Sequence, residues 1–417
     1  MRLFLRRFPA LGGLQLFALF CAVMAGAKSS HAATLVVTST ADSGMGSLRA
    51  AIATASNGDK IEFDAALNGQ TINLAAAELV IDKNITISGP GPDMLAVSRA
   101  SNGANIRIFH VLPGNTVLIQ GLTISGGQGD SSSNGGGIFN EQATLTIDTC
   151  SVRNNTTAAT AGGGIANSAE QGSATMTIIN SNVSNNSLTG NAGGISNGGT
   201  MAIINSIVSN NGADATFPAI YGIAGGISNS GTLEISNSII SGNFAGVGGG
   251  GISNGGMLTI TESTISGNVA GQFFMGIGYG AGISNQDHGI VTIRNSTVSG
   301  NMAIGQDSGG GGIASGAANA TLEISNSTIS GNIASRAGGG ISNGGTLAIT
   351  NCTLSGNRTS QAGGGISNFA ILQISNTILN ADASDVNIVN SSGTVTSHGY
   401  NVSSDDGGGF LTATGDQ

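Results

Sequence analysis

Surface chemistry needs titratable or metal-ligating side chains held close together, and this 417-residue chain spreads them thinly. Residues 135–380 hold four basic side chains, Arg153, Arg294, Arg336 and Arg358. The same stretch holds nine acidic ones, Glu141, Asp148, Glu170, Asp214, Glu234, Glu262, Asp287, Asp307 and Glu323. A glycoside hydrolase needs two carboxyl groups roughly 5–9.5 Å apart. A Ca²⁺-dependent lyase needs acidic ligands and a base to take the proton. Glu234 and Glu323 share an outward position in a repeating unit, but three units separate them, ~14 Å at the spacing of stacked strands. Glu262 and Arg294 lie one unit apart and are expected to pair as a solvated salt bridge, worth only ~0–1 kcal/mol. His110, His288 and His398 are isolated, with no metal-ligand spacing between them. Asp405-Asp406, before Gly407-Gly408-Gly409, lacks the nonapeptide repeat of Ca²⁺-binding β-rolls and reads as a solvated turn. Gly248–Gly251 precedes a strand-like piece, so it reads as a corner and not as a phosphate loop. No catalytic residue, metal ligand or cofactor is assigned on these grounds.

The aromatic residues are less evenly spread. Beyond the first 32 residues the chain has nine Phe and three Tyr. Six of these 12 fall in three successive segments: Phe217 and Tyr221 in 212–224, Phe244 in 244–247, and Phe273, Phe274 and Tyr279 in 269–280. Exposed rings gathered on one edge mark an interaction site. Aromatic faces also suit the apolar faces of sugars, and Tyr adds a polar handle. Phe217, Tyr221, Phe273, Phe274 and Tyr279 are therefore the candidate binding residues, with Phe244 at the floor of a shallow cleft. The competing reading buries the rings in a satellite core, and it is favoured for Phe244 and Ile223.

The elements that must position these residues follow from a repeat. A Gly-Ile anchor recurs at Ile138, Ile165, Ile195, Ile227, Ile252, Ile283, Ile313, Ile341 and Ile366, at spacings of 27, 30, 32, 25, 31, 30, 28 and 25 residues. Such a period points to a solenoid or an array. Each unit runs as Gly226-Ile227-Ser228-Asn229, then Leu233-Glu234-Ile235-Ser236-Asn237, then Ile239-Ile240-Ser241-Gly242-Asn243. Apolar and polar residues alternate within each piece, so Leu233 and Ile235 face one way and Glu234 the other. Propeller blades need four strands in ~40–45 residues. These shorter, three-strand units predict an all-β, single-stranded, right-handed parallel β-helix of twelve or thirteen coils over residues 61–390. Length varies only between the third piece and the next Gly-Gly, so insertions leave one edge.

Three Asn columns recur at the corners, represented by Asn229, Asn237 and Asn243 in one unit. Asn tolerates the left-handed conformation that corners need, and its amide can bond to its own image one coil away. Asn229, Asn254 and Asn285 are expected to stack with their amides bonded. Cys150 and Cys352 take the place of a recurring Ser seven coils apart, roughly 34 Å, too far for a disulfide. Both are expected to be free thiols.

The ends depart from the repeat. Ser47 is a candidate N-cap, and Leu48, Ala51, Ile52 and Ala55 form the apolar face of a short helix, which would cover the open end of the core. Arg2, Arg6 and Arg7 followed by an apolar run from Leu11 to Ala27 read as a signal peptide cut after Ala32. Taking four of the 13 basic residues away with it leaves nine against 22 acidic ones, a net charge of −13. That excess argues against nucleic acid as a partner and fits an exported surface. The expected divisions are 1–32 signal peptide, 33–60 N-terminal cap, 61–390 β-helix and 391–417 an irregular C-terminal segment.

Thr38-Ser39-Thr40-Ala41-Asp42-Ser43-Gly44 followed by Gly46-Ser47-Leu48-Arg49-Ala50-Ala51-Ile52 resembles the CSLREA domain of bacterial secreted proteins, with Gly46 in place of its Cys and Ala50 in place of its Glu. The GGGI…N…SGN units resemble polymorphic outer membrane protein repeats and the pectin-lyase-like superfamily. Ser397-His398-Gly399-Tyr400-Asn401 is similar to the start of a choice-of-anchor Q region. These resemblances cover nearly the whole exported chain. They imply an extracellular or bacterial cell-surface protein, not integral to the membrane once its leader is removed. Fold alone does not choose a function. The residues favour an adhesin-like or carbohydrate-binding scaffold without catalysis; the alternative is a polysaccharide lyase or glycoside hydrolase of the superfamily.

Overall fold

The computed structural model describes residues 32–417 apart from 131–133, 159–160, 171, 189, 191, 214–222, 272–278, 306–307, 317, 362 and 383–384. The expected signal peptide, with Cys21, lies almost wholly outside the described residues. Within them the chain winds into a right-handed, all-parallel β-solenoid of about 12 turns. A regular coil carries one strand on each of four walls. In the coil of Ile227 these are Ile227–Asn229 on wall 1, Thr232–Ser236 on wall 2, Ile239–Ser241 on wall 3 and Phe244–Ala245 on wall 4. Each strand pairs in parallel with its image one coil on: Ile227 with Ile252, Leu233 with Leu258, Ile240 with Ile265 and Ala245 with Ala270.

The alternating pattern explains the core. Inward Leu233, Ile235, Ile240 and Ile227 are buried and stack on the same residue types above and below. Wall 4 was not expected. Its strands are two residues long, too short for alternation to register in a sequence. Its path explains the Gly runs before wall 1: a Cβ on Gly250 would sit 2.4 Å from the carbonyl oxygen of Val269 on wall 4 of the next coil.

The three Asn columns divide the labour between them. The second supplies the bend: Asn205, Asn237 and Asn295 take φ of 48°, 48° and 50° and are exposed. The first and third are buried ladders. In the first, Asn229 Nδ2 donates to Asn254 Oδ1 at 2.7 Å, and Asn254 Nδ2 to Asn285 Oδ1 at 2.9 Å. In the third, Asn243 donates from both its backbone N–H and Nδ2 to Asn268 Oδ1 at 3.0 Å, and from Nδ2 to the Val208 carbonyl at 3.0 Å. The left-handed residue there is the preceding one, such as Gly242. The first ladder breaks once, at Ser315, whose hydroxyl is buried without a hydrogen-bond partner. Between walls 2 and 3 runs a buried Ser column in which Ser206 N–H donates to Ser238 Oγ at 3.0 Å. Cys150 and Cys352 occupy this column as buried free thiols, and burial pushes the Cys150 thiol up to about 12.

Both ends are closed by the chain itself. Ser47 caps the helix Leu48–Thr54 by accepting from Ala50 N–H at 3.2 Å, and Leu48, Ala51, Ile52 and Ala55 are buried over the first coils. At the other end, Thr394–Ser397 and Val402–Ser403 still add strands to walls 2 and 3, inside the segment expected to be irregular. Phe410 and Leu411 then pack on the core. Asp405 is no solvated turn: its carboxylate accepts from the backbone and side chain of Asn387, from Ser403 and from Gly407 N–H.

Replacing Asn254 by Ala leaves the buried Asn285 Oδ1 without its donor and removes one acceptor from Asn229 Nδ2. It should cost ~1–3 kcal/mol, read as a lower denaturant midpoint; an unchanged midpoint would remove the ladder from the account of stability.

Candidate functional site

On walls 2 and 3 most of the outward residues are partly or fully exposed. Wall 1 differs. Several of its three-residue strands are buried on both faces, as in Ile252–Asn254, Ile283–Asn285 and Ile366–Asn368. Their outward residues are small and sheltered: Ser253, Ser284, Ala314 and Ser367 are all 5% exposed or less. Segments on the two sides of the wall rise as banks of a trough. The upstream bank includes Ile223, Val247 and Tyr279, and the downstream bank Gln286, Gly316 and Phe369. Cavities of about 280, 520 and 500 Å³ follow one another along it. The last two share Tyr279, Ala314 and Gly316, and their size is that of ordinary ligand pockets, ~300–1,000 Å³.

Tyr279 is the one sequence-predicted binding residue that can be located, 43% exposed on the upstream bank. Phe217, Tyr221, Phe273 and Phe274 lie outside the described residues. Phe244 is not a cleft floor: it is a half-buried residue of wall 4, paired in register with Gly212 and Val269. The real floor is the wall-1 column of Ser and Ala, and Phe369, 42% exposed, was missed as its opposite bank. The expected Glu262–Arg294 pair does not form through side chains. Register sets Thr261 beside Arg294, Glu262 turns the corner with φ 49°, and Arg294 reaches Glu323 at 3.2 Å.

A second site was also missed. At the N-terminal end of wall 1, Glu78, Arg107, His110 and Glu141 interlock across three coils. His110 Nδ1 lies 3.1 Å from Glu78 Oε1, and its Nε2 lies 2.9 Å from Glu141 Oε2. Arg107 Nε donates to the second oxygen of Glu78, and its Nη1 donates to the Asn134 carbonyl at 2.8 Å. Phe139 backs the group, with the His110 ring 5.0 Å away and the Arg107 guanidinium 4.9 Å from its centroid. His110 is thus not isolated. Register explains why: His110, Phe139 and Ala166 share one outward column, and Glu141 sits beside Ser168. Aligning the irregular early coils on Phe109 and Ile138 would have revealed the column; the charge count over 135–380 excluded Glu78, Arg107 and His110. Asn134, Ala166 and Ser168 line the smallest trough cavity, so the cluster borders it.

Burial raises the Glu78 carboxyl, but hydrogen bonds from His110 and Arg107 and the Arg107 charge outweigh it and hold Glu78 below its ordinary value. Among the described residues no group of three His, Cys, Asp or Glu side chains is placed to hold a metal ion, and no helix is long and apolar enough to cross a membrane.

No protein-family model matches the chain, and no curated protein matches it. Solved structures do. Pectate lyase Pel9A is 15% identical over 85% of this chain and 80% of its own, with a TM-score of 0.42. ORF18 of Geobacillus virus E2 is 10% identical over 94% of this chain and 65% of its own, TM-score 0.34. Tailspike protein 3 of bacteriophage CBA120 is 10% identical over 88% of this chain and 55% of its own, TM-score 0.36. The chain spans less than two thirds of each viral protein's length. The likeness is one of fold.

A depressed carboxyl stabilises the folded state above its unfolded pKa, ~4.3 for Glu, and that contribution is lost as pH falls through the lower folded value. Glu78→Gln should therefore loosen the first three coils near neutral pH by ~1–3 kcal/mol, seen as faster amide exchange in Leu79–Ile81 and Phe109–Val111. Below about pH 4 the difference from wild type should shrink. Equal exchange at both pH values would show that the cluster does not fasten these coils.

Proposed function

We propose that the protein is an exported or surface-displayed binding scaffold, without catalysis, whose wall-1 trough receives an extended carbohydrate chain. The observation that carries this reading is the sheltered Ser/Ala floor running beneath Tyr279 through two adjoining cavities. Small floor residues leave room for a chain, Ser hydroxyls can exchange hydrogen bonds with its hydroxyls, and an aromatic bank can stack on its rings. Phe217, Tyr221, Phe273 and Phe274 are proposed as further aromatic contacts, from their place in the same inter-coil segments. The resemblances to the CSLREA domain, to polymorphic outer membrane protein repeats, to the pectin-lyase-like superfamily and to the choice-of-anchor Q region support export and display at a bacterial surface.

A second reading, a polysaccharide-active enzyme, is favoured by the Glu78–His110–Glu141 cluster beside the smallest cavity. Its geometry is not that of a paired-carboxylate hydrolase, because the imidazole fills the space between the two carboxylates where a sugar and water would sit. It offers only proton transfer through Glu141 and His110. Incubation with a panel of acidic and neutral polysaccharides should release no products. Turnover that disappears in His110→Ala and Glu141→Gln would replace the scaffold reading with this one.

The binding reading is tested on a glycan array. Ala314→Trp should fill the trough floor and lower binding at least roughly tenfold, ~1.4 kcal/mol, with the β-sheet circular dichroism unchanged. Phe273, Phe274 and Tyr279 replaced together by Ser should do the same. Normal binding by a folded Ala314→Trp protein would place the site elsewhere.

A further inference from the structure

We infer that the trough carries two aromatic platforms, Tyr279 on the upstream bank and Phe369 on the downstream bank, and so selects oligosaccharide chains over single sugars. The inference rests on the trough reading and adds the size class of the ligand. Both rings line the same cavity of about 500 Å³, and both are exposed, at 43% and 42%. Tyr279 precedes the wall-1 strand Ile283–Asn285, and Phe369 follows the strand Ile366–Asn368. Three coil steps lie between those strands along one sheet, so the two bank positions are offset by ~14 Å along the axis. Between them the floor is Ala314, Ser342 and Ser367, all small, and Arg336 and Gln361 also line the cavity.

Phe369 has no counterpart in its column. The residue after the wall-1 Asn is Glu141, Ser168, Gly198, Ser230, Gly255, Gln286, Gly344 or Ser391 in other coils. Nothing in the coil requires a ring there, since the fold is built eight more times without one. A single sugar ring can stack on one platform only. A chain lying diagonally across the floor reaches both, and the second contact then forms at the high effective concentration set by the first. The apolar ring faces of a polyhydroxylated chain suit the two platforms, and the Ser floor suits its hydroxyls.

The test uses the full exported chain and homologous series of glucose, N-acetylglucosamine and uronate oligomers, from monosaccharide to octasaccharide, on an array. For the series that binds, wild-type affinity should rise at least roughly tenfold between the short and long members. Phe369→Ala should abolish that rise, so that long members bind no more tightly than short ones, and Phe369→Tyr should retain it. Circular dichroism confirms that each variant is folded. Long-chain binding by Phe369→Ala equal to wild type, alongside loss in Ala314→Trp, overturns the two-platform inference and leaves the trough. Wild-type binding by Ala314→Trp as well overturns the trough reading, and so does a wild-type protein that retains no member of the series.

Discussion

The fold depends on satisfying polar corners inside a very narrow core. A solenoid coil of about 25–32 residues must turn several times, and each turn leaves backbone donors and acceptors without a strand partner. Buried unpaired groups cost ~1–3 kcal/mol each. The chain meets this by placing an amide at the same corner of successive coils, so that each side chain donates forward to its own image and accepts from the one behind. Asn243 shows the full arrangement: its Nδ2 serves the next Asn and a carbonyl of the preceding coil, while its backbone N–H shares the same acceptor. Such a device works only by repetition, which explains why the sequence is so uniform and why charged side chains are pushed to a few outward positions.

The N-terminal cluster becomes intelligible in the same terms. The first Asn ladder begins at Asn140; the register-equivalent position one coil earlier is Val111, and before that Ile81. Those coils have no amide ladder at this corner. The Glu78–His110–Glu141 bridges, with Arg107 behind them, tie the same three coils together from outside the wall. A mostly buried ion cluster is a weak source of net stability but is costly to break. One arrangement thus accounts both for the concentration of charge there and for its scarcity elsewhere.

A rigid wall with variable inter-coil segments divides roles between scaffold and site. Walls 2 and 3 repeat with little change, and wall 1 is where segments on both sides rise above the sheet. Sheltering then comes from the banks and room from the floor, because the outward wall-1 residues are Ser and Ala over most of its length. Length changes in the segments before each Gly-Ile leave coil stacking untouched, since each repeat contacts only its neighbours. That is the general position of binding residues on solenoids and other rigid frames.

The solenoid, its capping helix with Ser47, the Asn229–Asn254–Asn285 ladder and the two free thiols were legible in the sequence. Each rests on local periodicity or on a position repeated in register, and a repeat makes distant residues neighbours by simple counting. Counting failed where the repeat is irregular or where contacts run diagonally. Arg294 reaches Glu323 and not Glu262 because a corner with positive φ turns Glu262 away. His110 meets two carboxylates because three unevenly spaced coils come into register only once stacked. Phe369 faces the same cavity as Tyr279 although 90 residues separate them in the chain. Periodicity determined which residues share a wall and which point inward; the tertiary structure decided which outward residues are sheltered and what meets across coils, because those depend on the path of the connecting segments, where the repeat imposes nothing.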